Sequence, residues 1–435
     1  MEVVTFGRAF YAGWGLTTGG SAQPVRPRGR ASREALFLAC YTRYCRYLDA
    51  WRRTPVSFED AAEQLAWLKA RFHDNGPTVC LGITPWKRAV AAKFLSGVGG
   101  PLIHASKPED ALALARSHKA RLVVWASKAQ AGLGDQAAQA GVALLRLEDG
   151  FLRSVGLGAK LVPPASLVLD PEGIYYDPTR ASGFERLALE TEFTPALLAR
   201  ARALREAVVA LRLSKYNDGT RRSLDLPAKP YRVLVPGQVE DDASILTGTS
   251  AVSSNLALLE AVRRRHPAAV VIYKPHPDVA AGLRPGAIPA DRLGALSDGD
   301  AAGWNMADLL DEVDRVETMT SLTGFEALLR GKPVTVHGGP FYAGWGLTED
   351  LMALPRRTRT LSLDELTAVT LILYPRYIDP VSGRPCPPEL VIERFAAIRA
   401  LGPAAPTPLR NAYARVIHGM VIPLARKFGL GGLGQ

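Results

Sequence analysis

The sequence predicts an α/β protein built on two parallel sheets, each covered by helices on both faces. Three observations carry this. From about residue 76 onward, short β-branched apolar runs alternate with alanine- and leucine-rich helical stretches, the alternation breaks near 216–230, and 435 residues exceed what one core serves. With 47% hydrophobic and 22% charged residues, the composition is that of an ordinary globular protein.

Strands are predicted over 78–83, 121–126, 143–147, 166–170, 232–236, 269–274, 315–320 and 333–337, with helices such as 111–120 and 256–265 between them. Ligands in such folds gather beyond the carboxyl ends of strands, so the residues that follow each run are the candidates for chemistry.

Cys40, Cys45, Cys80 and Cys386 show no paired spacing and are too sparse for a disulfide framework, which fits a reducing cytoplasm. No apolar window of about 18 residues appears, and residues 1–8 lack the layout of a secretion signal. A net charge of +11 implies attraction to anions. Arginine is spread along the chain without zinc-finger spacing or an RNA-binding aromatic signature, which argues against nucleic acid. The 413–430 segment mixes Val416, Ile417, Met420, Val421 and Ile422 with Arg415, Arg426 and Lys427, the pattern of a helix lying on an anionic membrane or of a solvated terminal helix.

An internal duplication organises the chain. Phe10-Tyr-Ala-Gly-Trp-Gly-Leu-Thr17 recurs as Phe341-Tyr-Ala-Gly-Trp-Gly-Leu-Thr348, each copy preceded by an apolar run ending in glycine. An aromatic helical segment follows each, matched here as Tyr41-Thr-Arg-Tyr44 with Tyr374-Pro-Arg-Tyr377. Residues 1–70 therefore read as the mostly helical tail of an upstream copy of the module, expected to pack on the complete one as a spacer.

Four clusters follow predicted strands. Arg146-Leu-Glu148-Asp149-Gly150 offers adjacent carboxylates, either of which suits the abstraction of a hydroxyl proton; a charged turn is the plain alternative. Gly237-Gln238-Val-Glu240-Asp241-Asp242 places three acids in a row, an arrangement that repels itself unless cations or hydrogen bonds hold it. Lys274-Pro-His276-Pro277 makes a stiff cationic edge suited to phosphate, or simply a structural turn. Ser321-Leu-Thr323-Gly324-Phe-Glu326 opens a helix whose free amides suit phosphate, or form an ordinary cap with Thr323 capping and Glu326 completing a capping box. Neither a Walker loop nor a strand-anchored GxGxxG is present, and the acids lack metal-ligand spacing.

Together with Ser214-Lys215-Tyr-Asn217 and both octapeptides, these clusters resemble the KpsC-like capsule polysaccharide synthesis family, dual-module β-Kdo transferases of Gram-negative bacteria. The resemblance implies a GT-B glycosyltransferase with two Rossmann-like lobes: an acceptor lobe over 76–225, a donor lobe over 230–345, and helices over 350–435 that return toward the first lobe. It implies CMP-Kdo as donor, a lipid-linked Kdo-terminated glycan as acceptor, a retaining reaction through a covalent carboxylate, no metal cofactor, and a cytoplasmic location, peripheral on the inner membrane. Likeness to the second module points to a β-2,7 linkage, one linkage per acceptor. On this footing Asp242 is the nucleophile, since an aspartate stands there in both kinds of module, and Glu148 or Asp149 is the base. His276 is catalytic at the leaving phosphate and, with Lys274, Pro277, Gln238, Ser321, Thr323, Gly324 and Glu326, holds the donor, while Arg153, Lys215, Asn217, Tyr342 and Trp345 bind acceptor or support the fold. The rival readings are a non-catalytic glycan- or lipid-binding assembly protein and a nucleotide-sugar epimerase.

Overall fold

The computed structural model describes residues 4–5, 18–19, 30–72, 75–97, 100, 102–154, 163–214 and 231–400. Lys215, Asn217 and the 413–430 segment lie outside them. The chain divides into two compact units, Met1–His73 and Asp74–Gln435.

In the first unit, Ser32 caps the helix Arg33–Phe37 by accepting from the Ala35 amide, and the helix runs into a π-helical turn, Leu38–Tyr44. A short antiparallel pair, Tyr47–Leu48 with Pro55–Val56, leads to the helix Phe58–Phe72. These elements repeat the end of the second unit in order. Ser362 caps Leu363–Thr367, which runs into the π-helical Ala368–Leu373. The pair Leu48↔Pro55 is matched by the bridge Ile378↔Pro385, and the early pair Val4↔Thr18 by Thr335↔Glu349. Asp49 accepts from the Trp51 and Arg52 amides, as Asp379 does from those of Val381 and Ser382. This register corrects the aromatic match: Tyr44 and Tyr47, not Tyr41 and Tyr44, correspond to Tyr374 and Tyr377. Identical Tyr-x-x-Tyr spacing three residues apart conceals the shift; the shared caps and aspartates reveal it.

The second unit carries both predicted sheets. In the first, β1 (Thr78–Leu81), β2 (Leu102–Ala105), β3 (Arg121–Trp125) and β4 (Leu144–Asp149) are parallel, whereas β5 (Ser166–Asp170) pairs antiparallel with β4. The expectation of a wholly parallel sheet is therefore corrected. The two strands stay paired beyond Asp149: the Gly150 amide donates to the Ser166 carbonyl at 3.0 Å and the Ala165 amide to the Arg153 carbonyl at 2.7 Å, and Gly150 leaves no room for a Cβ, 2.4 Å from Ser166 Oγ. Helices α1 (Pro85–Leu95) and α2 (Pro108–Ser117) both open on proline, and Ala111 and Ala115, one turn apart, bury α2 against Val79 and Leu122.

Beyond α3 (Leu133–Gln139), α4 (Gly183–Glu190) and α5 (Pro195–Ala210) comes the second sheet. It is parallel throughout: β6 (Arg232–Pro236), β7 (Val270–Lys274), β8 (Gly299–Asp300), β9 (Arg315–Thr318), β10 (Val334–Val336) and β11 (Glu349–Asp350), in the order β8-β7-β6-β9-β10-β11. Between them run α6 (Ala243–Gly248), α7 (Asn255–Arg265), α8 (Pro277–Ala280), α9 (Ala290–Leu296), α10 (Met306–Glu312) and α11 (Leu322–Leu329). Leu258, Leu259 and Val262 of α7 cover Val233, Val235 and Val271. The chain then returns through α12 (Leu363–Thr367) to β12 (Pro375–Tyr377), which pairs antiparallel with β5 of the first sheet, and the last described element is α13 (Pro388–Ala400).

The second octapeptide joins the two lobes. Phe341 packs on Phe151, at 4.5 Å between ring centres, and on Tyr175 and Phe184 of the first lobe, with Phe325 of the second behind it. The buried Arg357 pairs with Glu185 at 3.0 Å and donates to the Pro340 and Ala343 carbonyls. Arg357→Met strips these bonds and leaves Glu185 to the half-exposed Arg356, so we expect a loss of about 3 kcal/mol in chemical unfolding.

Candidate active site

Strands β6, β7 and β9 are neighbours, with Pro236 beside Lys274 and Leu234 beside Val316, so the turns that follow them line one edge of the second sheet. The three consecutive acids diverge there. Glu240 accepts from the Asn255 amide at the start of α7, 2.8 Å, and Asp241 pairs with Arg284, 2.6 Å. Asp242 caps α6, accepting from the Ser244 amide at 3.0 Å and hydroxyl at 2.7 Å, and is exposed. The mutual repulsion expected of the run is thus relieved by separate partners.

Gln238 is a brace. Its amide oxygen accepts from the Thr318 hydroxyl and the Thr320 amide, its amide nitrogen donates to Thr320 Oγ1 at 2.9 Å, and Thr320 Oγ1 donates to Ser244 Oγ at 3.4 Å. Asp242 is therefore tied through Ser244 to the turn that opens α11. His276 caps α8 before Pro277, and its Nδ1 accepts from the Asp278 amide, which puts the proton of the neutral ring on Nε2. Lys274 is buried, and its ammonium donates to the Trp304 carbonyl at 2.7 Å.

Ser321, not Thr323, caps α11: its Oγ accepts from the Thr323 amide and donates to Thr323 Oγ1, which displaces the expected cap by two residues and leaves Glu326 outside any capping box. Thr323 and Glu326 are buried within the helix. Gly324 serves packing, because a Cβ there meets the Tyr342 hydroxyl at 2.2 Å, and that hydroxyl donates to the Ser321 carbonyl. Tyr342 and Trp345 are wholly buried, and the Trp345 indole donates to the Phe341 carbonyl, so both are supports of the fold. We expect Gly324→Ala to lower stability by about 1–3 kcal/mol in urea unfolding, and Tyr342→Phe to restore part of that when combined with it.

On the first lobe, β4 delivers Glu148 and Asp149 to its carboxyl edge. Asp149 pairs at 2.9 Å with Arg153, which is 3% exposed and also donates to Ser154. Glu148 is pushed up to about 7, first by burial and then by the charges of Asp149 and, from the other lobe, Asp242, with Lys87 opposing. Tyr176 is likewise pushed up by burial, then by Glu148 and Asp242, so this ring shares the space of both carboxylates. The backbone around Tyr176 rests on α6 through the Thr247 hydroxyl, and the Tyr175 hydroxyl donates to the Asp149 carbonyl at 3.1 Å.

Tyr175, Tyr176 and Lys87 escape a search of strand carboxyl ends. Strand β5 runs backwards, so the residues just after Asp170 leave the far edge and the loop must climb back before presenting its tyrosines. Lys87 arrives from a helix. Among the described residues, no group of three or more histidine, cysteine, aspartate or glutamate side chains could hold a metal ion, and no helix is long and apolar enough to cross a membrane.

Residues 1–47 and 120–377 match the family described as "Capsule polysaccharide biosynthesis protein". The chain is 42% identical over 385 residues to the capsule polysaccharide modification protein LipA of Neisseria meningitidis, covering 87% of this chain and 54% of that one. It is 44% identical over 305 residues to the lipopolysaccharide-processing protein LpsZ of Rhizobium meliloti, covering 68% of this chain and 69% of the relative. The chain thus spans about half the length of LipA. Two solved structures from Thermosulfurimonas dismutans are similar over 74% of this chain and 99% of theirs: the KpsC β-Kdo 2,4 transferase (34% identity, TM-score 0.65) and the KpsC β-Kdo 2,7 transferase (35%, 0.59). The expected two-lobed α/β fold is therefore found, and the chain belongs to the capsule polysaccharide biosynthesis protein family.

Proposed function

We propose that this chain transfers Kdo from CMP-Kdo to a Kdo-terminated, lipid-linked capsule linker glycan, with retention and through a covalent carboxylate intermediate. The observation that supports it is that acids of the two lobes meet around the Tyr176 ring: Asp242, which caps α6 and is exposed, and Glu148, whose pKa is raised first by burial, then by Asp149, and in smaller part by Asp242. Retention needs two inversions. Asp242 attacks the anomeric carbon, the bond from that carbon to the phosphate oxygen breaks, and its electron pair leaves with CMP. The acceptor hydroxyl then attacks the same carbon, gives its proton to Glu148 and displaces Asp242. Glu148 rather than Asp149 is the base, because Asp149 is committed to Arg153.

The proton on His276 Nε2, the hydroxyls of Ser321 and Thr323, the opening amides of α11 and Lys274 would offset charge on the departing phosphate, and Glu326 would hold a ribose hydroxyl. Gln238, Pro277 and Gly324 hold this edge in shape. The lobe over 76–225 would carry the acceptor, that over 230–345 the donor, and the protein would work without a metal at the inner face of the inner membrane. The β-2,7 linkage rests on likeness to the second module; near-equal identity to the 2,4 and 2,7 transferases favours neither. Incubation with CMP-Kdo and a Kdo-terminated acceptor should add one Kdo to the glycan by mass spectrometry, with the linkage read by NMR. Donor consumption unchanged by acceptor, without glycan product, would contradict it.

A further inference from the structure

One hydroxyl where the lobes meet has no part in the two displacements. The Asp177 amide donates to the Ile174 carbonyl at 3.1 Å, closing a tight turn with Tyr175 and Tyr176 at its two corners. Tyr175 anchors the turn: its ring packs on Phe151, 4.9 Å between centres, and its hydroxyl donates to the Asp149 carbonyl. Tyr176 stands edge to face with it at 5.5 Å and leans on the other lobe, its carbonyl accepting from the Thr247 hydroxyl of α6 at 3.5 Å. Asp242 caps that helix. The Tyr176 ring is half-buried, and among the described residues its own hydroxyl has no hydrogen-bond partner.

The neighbouring donors already have partners. The Ser244 hydroxyl donates to Asp242, that of Thr247 to the Ala243 carbonyl at 2.8 Å and that of Thr249 to the Ile245 carbonyl. Of the cations, Arg153 pairs with Asp149, Arg146 donates to the Glu172 carbonyl, and Lys87 lies over the Trp125 ring within reach of Glu148 and Asp149. Against them stand three acids, Glu148, Asp149 and Asp242. The Tyr176 phenol keeps its proton in this company, its pKa pushed up first by burial and then by Glu148 and Asp242, with Asp177 adding to them and Arg146 opposing. It is a neutral donor across the ordinary pH range.

We propose that the Tyr176 hydroxyl donates to the carboxylate carried on the anomeric carbon of the transferred sugar acid, and is thereby a catalytic residue in both displacements. This rests on the transferase reading and deepens it. Kdo bears its carboxylate on the carbon that Asp242 attacks, so nucleophile and substrate bring two negative charges to one carbon. A neutral donor lessens that repulsion without cancelling the sugar's charge, which still balances the positive charge developing on the ring as CMP departs. A cation in its place would remove the second benefit along with the repulsion. The carboxylate stays on the same carbon when the acceptor hydroxyl displaces Asp242, so the bond serves each step, and no proton leaves Tyr176.

The test is single-turnover transfer from CMP-Kdo by the full chain, wild type against Tyr176→Phe, which keeps the ring and removes the hydroxyl. The variant is expected to transfer on the order of 100-fold more slowly, while binding CMP as tightly as wild type and melting with it. The pH limb that belongs to Glu148 should keep its position. With the CMP-activated carboxamide of Kdo, whose anomeric carbon bears no carboxylate, the deficit should shrink to a few-fold. Transfer by Tyr176→Phe within about threefold of wild type overturns the proposal, and so does an equal deficit with acid and carboxamide donors, which would place the lost bond on another atom. A displaced limb with its plateau intact also overturns it, making the tyrosine a positioning residue for Glu148. A wild type that binds CMP-Kdo and makes no glycan would contradict the transferase reading, and this role with it.

Discussion

Asp242→Asn is expected to lower Kdo transfer by at least about 1,000-fold with little change in stability. Asparagine caps a helix nearly as well as aspartate, so the bonds from Ser244 and the start of α6 survive, while the attacking oxygen is lost. The neighbouring acids give an internal control. Asp241→Asn loosens only the pairing with Arg284 at the surface, and transfer should fall no more than a few-fold. Comparable losses from both variants would show that the acidic run acts as a unit and that Asp242 has no separate role.

Glu148→Gln carries the second large effect, and it acts on rate and stability in opposite directions. A base that releases its proton near 7 makes kcat/KM rise with pH up to about 7 and level off above; the glutamine variant should lose at least about 100-fold and show no such limb. The sign for stability follows from the same shift. Folded Glu148 holds its proton to about 7, whereas the unfolded chain releases it near 4.5, so its contribution is fully present below 4.5 and is lost as pH rises through 7. Forcing the charge into this site should cost on the order of 1 kcal/mol at pH 8, less than the full linkage value because the side chain keeps some hydration. Glu148→Gln should therefore melt a few degrees above wild type at pH 8 and converge with it at pH 5.

What the sequence disclosed was governed by periodicity. Buried strands such as Val270–Lys274 announce themselves as unbroken apolar runs, but Leu102–Ala105 is a half-buried edge and Pro375–Tyr377 begins with proline, so neither stands out. The direction of Ser166–Asp170 has no signature in its own residues, and it decides where Tyr175 and Tyr176 arrive. At the site, residue type located the acids but not their partners. That Glu240 and Asp241 are held by Asn255 and Arg284, and that Gln238 braces Thr320, depends on contacts 15 to 82 positions away.

The most direct test of two carboxylates acting in turn on one sugar is the intact mass of the Glu148→Gln protein incubated with CMP-Kdo, before and after acceptor is added. With the first displacement intact and the second slowed, a species heavier by one Kdo should accumulate, map to the peptide containing Asp242 and persist in the presence of acceptor. An unmodified protein that still consumes donor and yields glycan would contradict the covalent route.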